Sequence, residues 1–156
     1  MRFLFQLKIA SDCGITIPTT LCSNDLEEIR LFFRQNEAHG ITYKPLNGED
    51  KPIKINRMNC ITQQLPGIFQ KESIKHYELR VTCFGNYLVA VKLNSPSNQQ
   101  HMTEFHTLPD DLAIKIRAFM RELRVAFGTC DFIVTPDHDY IFLNVNEQIH
   151  YRCSTL

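Results

Sequence analysis

The stretch "ELRVTCFGNYLVAVKL", residues 78–93, sets two alternating apolar runs on either side of Gly85-Asn86. Alternation at period 2 gives a strand one buried and one open face. A two-residue turn of this composition joins two such strands as an antiparallel hairpin. A second hairpin follows in "DFIVTPDHDYIFLNVNEQ", residues 131–148, which reads as strand, tight turn and strand. Between the hairpins lies "LPDDLAIKIRAFMRELRVAFG". Its stripe of Leu112, Ile116, Phe119 and Leu123 recurs at helical spacing. Asp110 and Asp111 sit near the positive end of that helix, and Arg121 and Arg124 near its negative end. Gly128 is placed to stop it.

The rest of the chain is patterned in shorter pieces. Phe3, Leu4, Leu7 and Ala10 predict a first helix, stopped at Gly14. "ITIPTTLC" is extended, because Pro18 and its β-branched residues disfavour helix. Asn24 with Glu27 forms a capping-box pattern. It opens a helix through Leu26, Ile29 and Phe33 that ends near Gly40. "GITYKPL" is a short strand, and "GIFQKESI" is a strand running into a connection. Residues 47–59, polar and without period, are expected to be an exposed loop, and residues 94–107 a second loop. Helices and antiparallel strands in this order predict an α+β fold.

Composition narrows the function classes. A chain of 156 residues makes one domain or a small pair of lobes, and 44% hydrophobic residues suffice for a core. Seventeen basic residues balance seventeen acidic ones, so no chain-wide charge points to nucleic acid or an anionic membrane. No apolar run is long enough to span a bilayer. The N-terminal "MRFLFQLKIASDCG" makes a poor signal peptide. Six scattered cysteines without a C-x-x-C pair read as reduced thiols in a cytoplasmic protein. H-E-x-x-H, G-x-S-x-G, Walker and G-x-G-x-x-G motifs are all missing.

What remains is a set of polar residues on strands. Asn144 and Asn146 are two apart, so they share a strand face, with Leu143 and Val145 on the other. If the hairpin pairs, Asp131 lies beside the asparagines, and three oxygen donors could hold Mg²⁺. A solvated polar face is the alternative. Lys44 in "ITYKPL" is a cation on a short rigid mount, suited to a phosphate or simply solvated. "FQKESIKHYELR" supplies Gln70, Glu72, Lys75, Glu78 and Arg80, a polar cluster or a charged connection. Lys92 ends "VAVKL" and could snorkel from the sheet.

In combination these pieces resemble the ATP-grasp family, and within it the peptide-tailoring ligases of the microviridin and graspetide type. "FQKESIKHYELRV" and "DFIVTPDHDYIFLNVN" carry the resemblance, and most of the chain, from about Gln6 to Gln148, follows the pattern. It implies an ATP-grasp domain over residues 1–156, built as two small α+β lobes with a nucleotide cleft between them. The smaller lobe would cover about 14–68 and the larger about 69–156. It implies that Lys44 reaches the nucleotide phosphates and that Gln70, Lys71, Glu72 and Ser73 form the hinge that reads adenine and ribose. Arg80 and Lys92 would face the terminal phosphate and the acyl substrate, and Asp131, Asn144 and Asn146 would hold Mg²⁺. The implied cofactors are ATP and Mg²⁺, and the implied partner is a ribosomal precursor peptide, ligated through an acyl phosphate. Three positions depart from the pattern. Asn144 stands where the family has glutamate, an aspartate-aromatic-arginine motif has no counterpart in residues 94–109, and Met1 falls inside the helix that follows the family's first domain. The expectation is that this first domain is missing or supplied by a complementing chain, with a homodimer the other assembly open to it. The alternative reading is a catalytically impaired relative that binds nucleotide or peptide.

Overall fold

The computed structural model describes residues 2–46, 52–55, 66–94 and 101–147. In chain order the elements are α1 (Arg2–Asp12), β1 (Thr20–Ser23), α2 (Leu26–Gln35), β2 (Ile41–Pro45), β3 (Ile53–Ile55), β4 (Gly67–Lys71), β5 (Tyr77–Phe84), β6 (Tyr87–Asn94), β7 (His101–His106), α3 (Asp110–Glu122), β8 (Phe127–Val134) and β9 (Tyr140–Asn146). The fold is α+β. Two compact units divide the chain: Pro18–Ile74 form one, and Met1–Ile17 with Lys75–Leu156 form the other.

The larger unit carries an antiparallel sheet in the order β7-β6-β5-β8-β9. Alternation decides its faces. Leu79, Val81 and Cys83 of β5 and Cys130, Phe132 and Val134 of β8 are fully buried on one side. Against them α3 lays Leu112, Ile116, Phe119 and Met120, and α1 adds Leu7 and Ala10. Phe142 joins this layer edge-on to both Phe119 and Phe132. Burying each such side chain contributes ~1.5–3 kcal/mol, so this layer is the main source of the unit's stability. The edge strand β9 is not left open. Gln6, itself buried, donates from its side-chain amide to the Val145 carbonyl at 3.2 Å, and Phe142 N–H donates to Thr16 O at 2.9 Å. Capping an edge in this way removes its backbone groups as a pairing template.

The smaller unit is an antiparallel sheet in the order β1-β4-β2-β3, with α2 against it. Ile29 and Phe32 of α2 pack with Ile41, Tyr43, Ile55 and Phe69.

Local details differ from the sequence reading for identifiable reasons. The cap of α2 is Asp25, whose carboxylate accepts from the N–H groups of Glu27 and Glu28 at 2.7 and 3.2 Å. Asn24 has no capping role there, and the helix stops at Gln35, five residues before Gly40. Asp at an N-cap serves as well as Asn, so sequence alone could not choose between neighbours. The stop of α3 is Arg124, in the left-handed region at φ 56°, with Val125 N–H returned to Met120 O. Gly128 lies inside β8, where an added Cβ would press on the Asn146 carbonyl at 3.1 Å. Within 94–107, residues His101–His106 form β7 rather than loop. Within 47–59, residues Ile53–Ile55 pair with β2, and Ile55 is buried. Residues 47–51 and 56–59 of that expected loop lie outside the described residues. β3 is too short to display a period, and β7 mixes polar and apolar residues in both of its alternate sets. No helix among the described residues is long and apolar enough to cross a membrane.

Candidate functional site

The register of the five-stranded sheet assembles the polar residues in rows across the face opposite α1 and α3. Phe105, Val91, Arg80, Asp131 and Asn144 are successive neighbours on β7, β6, β5, β8 and β9. Three residues separated in sequence by 51 and 13 positions thus meet because strands stack about 4.8 Å apart. Arg80 Nε donates to Asp131 Oδ1 at 2.8 Å, and Arg80 also reaches Oδ2 at 3.5 Å. Beside this pair lies a pocket of about 110 Å³, lined by Glu78, Arg80, Leu93, Asp131, Phe132, Leu143 and Asn144 among others.

The second strand of the hairpin does not alternate as its sequence suggests. A bulge sets Leu143 and Asn144 together opposite Asp131, between the pairs Asp131↔Asn144 and Phe132↔Phe142. The two residues therefore both border the pocket, while Phe142 and Val145, three apart, both face the core. The expected sharing of one face by Leu143 and Val145 is overturned. A bulge is a local insertion that period-2 reasoning cannot detect. Asn146 falls one row away, opposite Thr129, and is exposed.

Lys92 belongs elsewhere. It pairs with Leu79, a core-facing residue, so it shares the α3 side of the sheet and not the Arg80 side. There its ammonium sits 4.9 Å from the centre of the Tyr77 ring and 3.3 Å from Glu104. His106 joins this cluster through a 2.8 Å contact between its Nε2 and the Tyr140 hydroxyl. Burial and the neighbouring Lys92 charge hold the His106 imidazole below its ordinary pKa. Glu78 is a site residue that the sequence reading left in a general polar cluster. Its position two before Arg80 on one strand was the available signal, since i and i+2 share a face.

In the smaller unit, Gln70 donates to Thr20 Oγ1 at 3.0 Å and pairs in register with Thr42. Lys44 shares the Thr42 side of β2, away from buried Ile41 and Tyr43. Glu72 is anchored twice: its N–H donates to Gly40 O at 2.7 Å, and its carboxylate meets Lys54 at 2.9 Å. A Cβ at Gly40 would collide with that carboxylate. Lys71 N–H donates to Thr19 O at 3.0 Å, and Ser73 follows, half-buried.

Among the described residues no three His, Cys, Asp or Glu side chains gather to hold a metal. The Asp131 row offers one carboxylate, already paired with a guanidinium, and one neutral amide. That donor set does not fit a bare Mg²⁺, which needs six oxygens and keeps its water tenaciously. It fits Mg²⁺ that arrives with phosphate oxygens of its own, because Arg80 can turn to the phosphate and release Asp131.

Two antiparallel sheets, each covered on one face by helix, with the Arg80–Asp131–Asn144 row on an open face, define an ATP-grasp fold. Solved structures bear this out. The macrocyclase MdnC from Microcystis aeruginosa MRC, bound with precursor peptide MdnA, superposes with a TM-score of 0.81 at 28% identity, over 93% of this chain and 52% of that one. The macrocyclase MdnB of the same organism matches at 31% identity and TM-score 0.74, over 92% and 50% of the two chains. A RiPP-associated ATP-grasp ligase from Chryseobacterium gregarium, in complex with ADP and a leader and core peptide, shares the fold at 24% identity and TM-score 0.72. The chain shares the fold of ATP-grasp ligases and is similar in sequence to the two macrocyclases. It spans about half the length of the solved chains it matches. No protein-family model and no curated protein matches the sequence.

Proposed function

We propose that this chain binds Mg-ATP and serves the ATP-dependent ligation of a carboxylate on a ribosomal precursor peptide to an amine or alcohol. The observation that carries the reading is the Arg80–Asp131–Asn144 row, a cation, a carboxylate and an amide on adjacent strands of an ATP-grasp sheet. The peptide is proposed because neighbouring structures hold precursor peptides and nucleotides. The chemistry fits these groups. A carboxylate oxygen attacks the γ-phosphorus, the bond to the bridging oxygen breaks, and ADP leaves with the electron pair. An amine or hydroxyl then attacks the acyl carbon, phosphate leaves, and the nucleophile loses its proton. The first step crowds anions, so its transition state needs fixed cations. In this reading Arg80 holds the γ-phosphate or the acyl oxygens. Asp131, Asn144 and Asn146 would hold Mg²⁺, which would offset phosphate charge when bound. Lys44 supplies a second cation for the phosphates, and residues 70–73 receive the adenine and ribose. ATP supply and the free thiols of Cys13, Cys22, Cys83 and Cys130 suit the cytoplasm.

A second reading, a nucleotide- or peptide-binding module without turnover, is favoured by one observation. Asn144 brings no charge opposite Asp131, so the Asp131 row has a single carboxylate, and that one is engaged by Arg80. A coupled assay of ADP release, with a carboxylate-rich peptide and Mg-ATP, separates the two. ADP formed in step with peptide modification supports the ligase; saturable ATP binding without ADP supports the module.

A further inference from the structure

The outer edge of β9 is held at two points, and the bulge lies between them. Phe142 N–H donates to Thr16 O at 2.9 Å. Val145 is held twice by one side chain: Gln6 Nε2 donates to its carbonyl at 3.2 Å, and its own N–H donates to Gln6 Oε1 at 3.4 Å. Gln6 is buried, and these bonds use both the donor and the acceptor end of its amide. In a regular antiparallel edge strand, outward-pointing N–H groups recur at every second residue. Phe142 and Val145 are three apart, so both point outward only because the bulge adds a residue between them. The two clamps therefore fit the bulged strand and not a straight one. A slip of one residue would turn Val145 inward and strip the buried Gln6 amide of its partners, at the cost of an unsatisfied polar group.

We propose that Gln6 is a positioning residue for the Mg²⁺ side of the site: by gripping Val145 it fixes Asn144 and Asn146 relative to Asp131. This rests on the Mg-ATP reading above and extends it to a residue 139 positions from the strand it holds. Val145 stands between the two asparagines, so its backbone sets where both side chains begin. The bulge that the grip selects is what puts Asn144 on the pocket opposite Asp131. Placement matters more here than in a site of two carboxylates. A neutral amide oxygen draws a cation less strongly than a charged one, so it contributes only where its geometry is held. Groups that orient a metal's ligands from behind commonly carry ~10–100-fold of its affinity. Gln6 acts in this way through Val145.

Competition against a fluorescent ATP analogue, on the full chain, gives the ATP affinity with Mg²⁺ and with EDTA. The ratio of the two is the metal's contribution, which a merely structural role would not move. Wild type and Gln6→Leu are compared with Ile116→Val, a buried change on α3 that lowers stability away from the edge of β9. Gln6→Leu is expected to cut the ratio by ~10-fold while its affinity in EDTA stays near that of the wild type. Ile116→Val is expected to leave the ratio in place. An unchanged ratio in folded Gln6→Leu overturns the proposal and leaves the nucleotide reading standing. So does an equal loss with Mg²⁺ and with EDTA, or a ratio that falls as far in Ile116→Val. A wild type that binds in neither condition overturns both. If Gln6→Leu does not fold, hydrogen exchange of the wild type decides: Mg-ATP, and not ATP with EDTA, is expected to slow exchange of the Val145 amide. No difference between the two overturns the proposal.

Discussion

Arg80 and Asp131 face each other across β5 and β8 in direct register, with Nε and Oδ1 2.8 Å apart. The two charges offset each other within this row, while Glu78 adds a second carboxylate to the pocket lining. Both side chains keep access to solvent, so the ion pair itself adds only ~0–1 kcal/mol to stability. Arg80→Ala should therefore leave the urea midpoint nearly unchanged. The same substitution should weaken Mg-ATP binding by ~10-fold or more, because a charge-assisted hydrogen bond to an anion contributes about 1.5–3 kcal/mol. Paired denaturation and calorimetry on one variant check both halves.

Asn144 supplies an amide where a carboxylate would neutralise a metal. With ATP present, Asn144→Glu should strengthen Mg²⁺ binding, since a site with two carboxylates offsets a divalent ion better than a site with one. Asp131→Asn should abolish it. Metal titration of the three proteins with ATP present reads both effects. No change in either variant would leave the β8–β9 hairpin with no more than a solvated polar face.

How much of this was legible in sequence differs by element. The β5–β6 hairpin and the core face of α3 were, because long runs display their period. Strands β3 and β7 were not: β3 has three residues, too few to repeat, and each alternate set of β7 (His101, Thr103, Phe105 and Met102, Glu104, His106) mixes polar with apolar residues. The meeting of Asp131 with Asn144 followed from pairing the hairpin. The meeting of Arg80 with Asp131 did not, since no local signal links residues 51 positions apart. The face of Lys92 was not legible either, because its side depends on the register with Leu79 and not on its neighbours in "VAVKL".

His106 should make the larger unit acid-sensitive. Its environment is Tyr77 and Tyr140, the Lys92 ammonium, which lowers its pKa further, and Glu104, which opposes that shift. The unfolded chain takes up this proton near pH 6.5, the folded chain only below it. In the window just below 6.5 the unfolded state thus binds more protons, and stability falls as pH falls. Thermal melts from pH 7.5 down to 5 should show this slope reduced in His106→Gln.

Two stability predictions test the packing. Phe132, fully buried between β5 and β9 and against Phe142, should cost ~3–5 kcal/mol on truncation to Ala. Asp25→Ala removes the cap of α2 and should cost ~0.5–2 kcal/mol, whereas Asn24→Ala should cost little. Chemical denaturation of the three variants distinguishes the observed cap from the one its neighbour suggests.

Nucleotide binding is the core of the proposed function, with Lys44 and Arg80 each proposed as a phosphate cation. Calorimetric titration of Mg-ATP into the wild type, Lys44→Ala and Arg80→Ala tests it most directly. Weak, saturable binding is expected for the wild type, lost in Lys44→Ala and weakened in Arg80→Ala. No heat at saturating nucleotide, together with no thermal shift of the wild type, would contradict it.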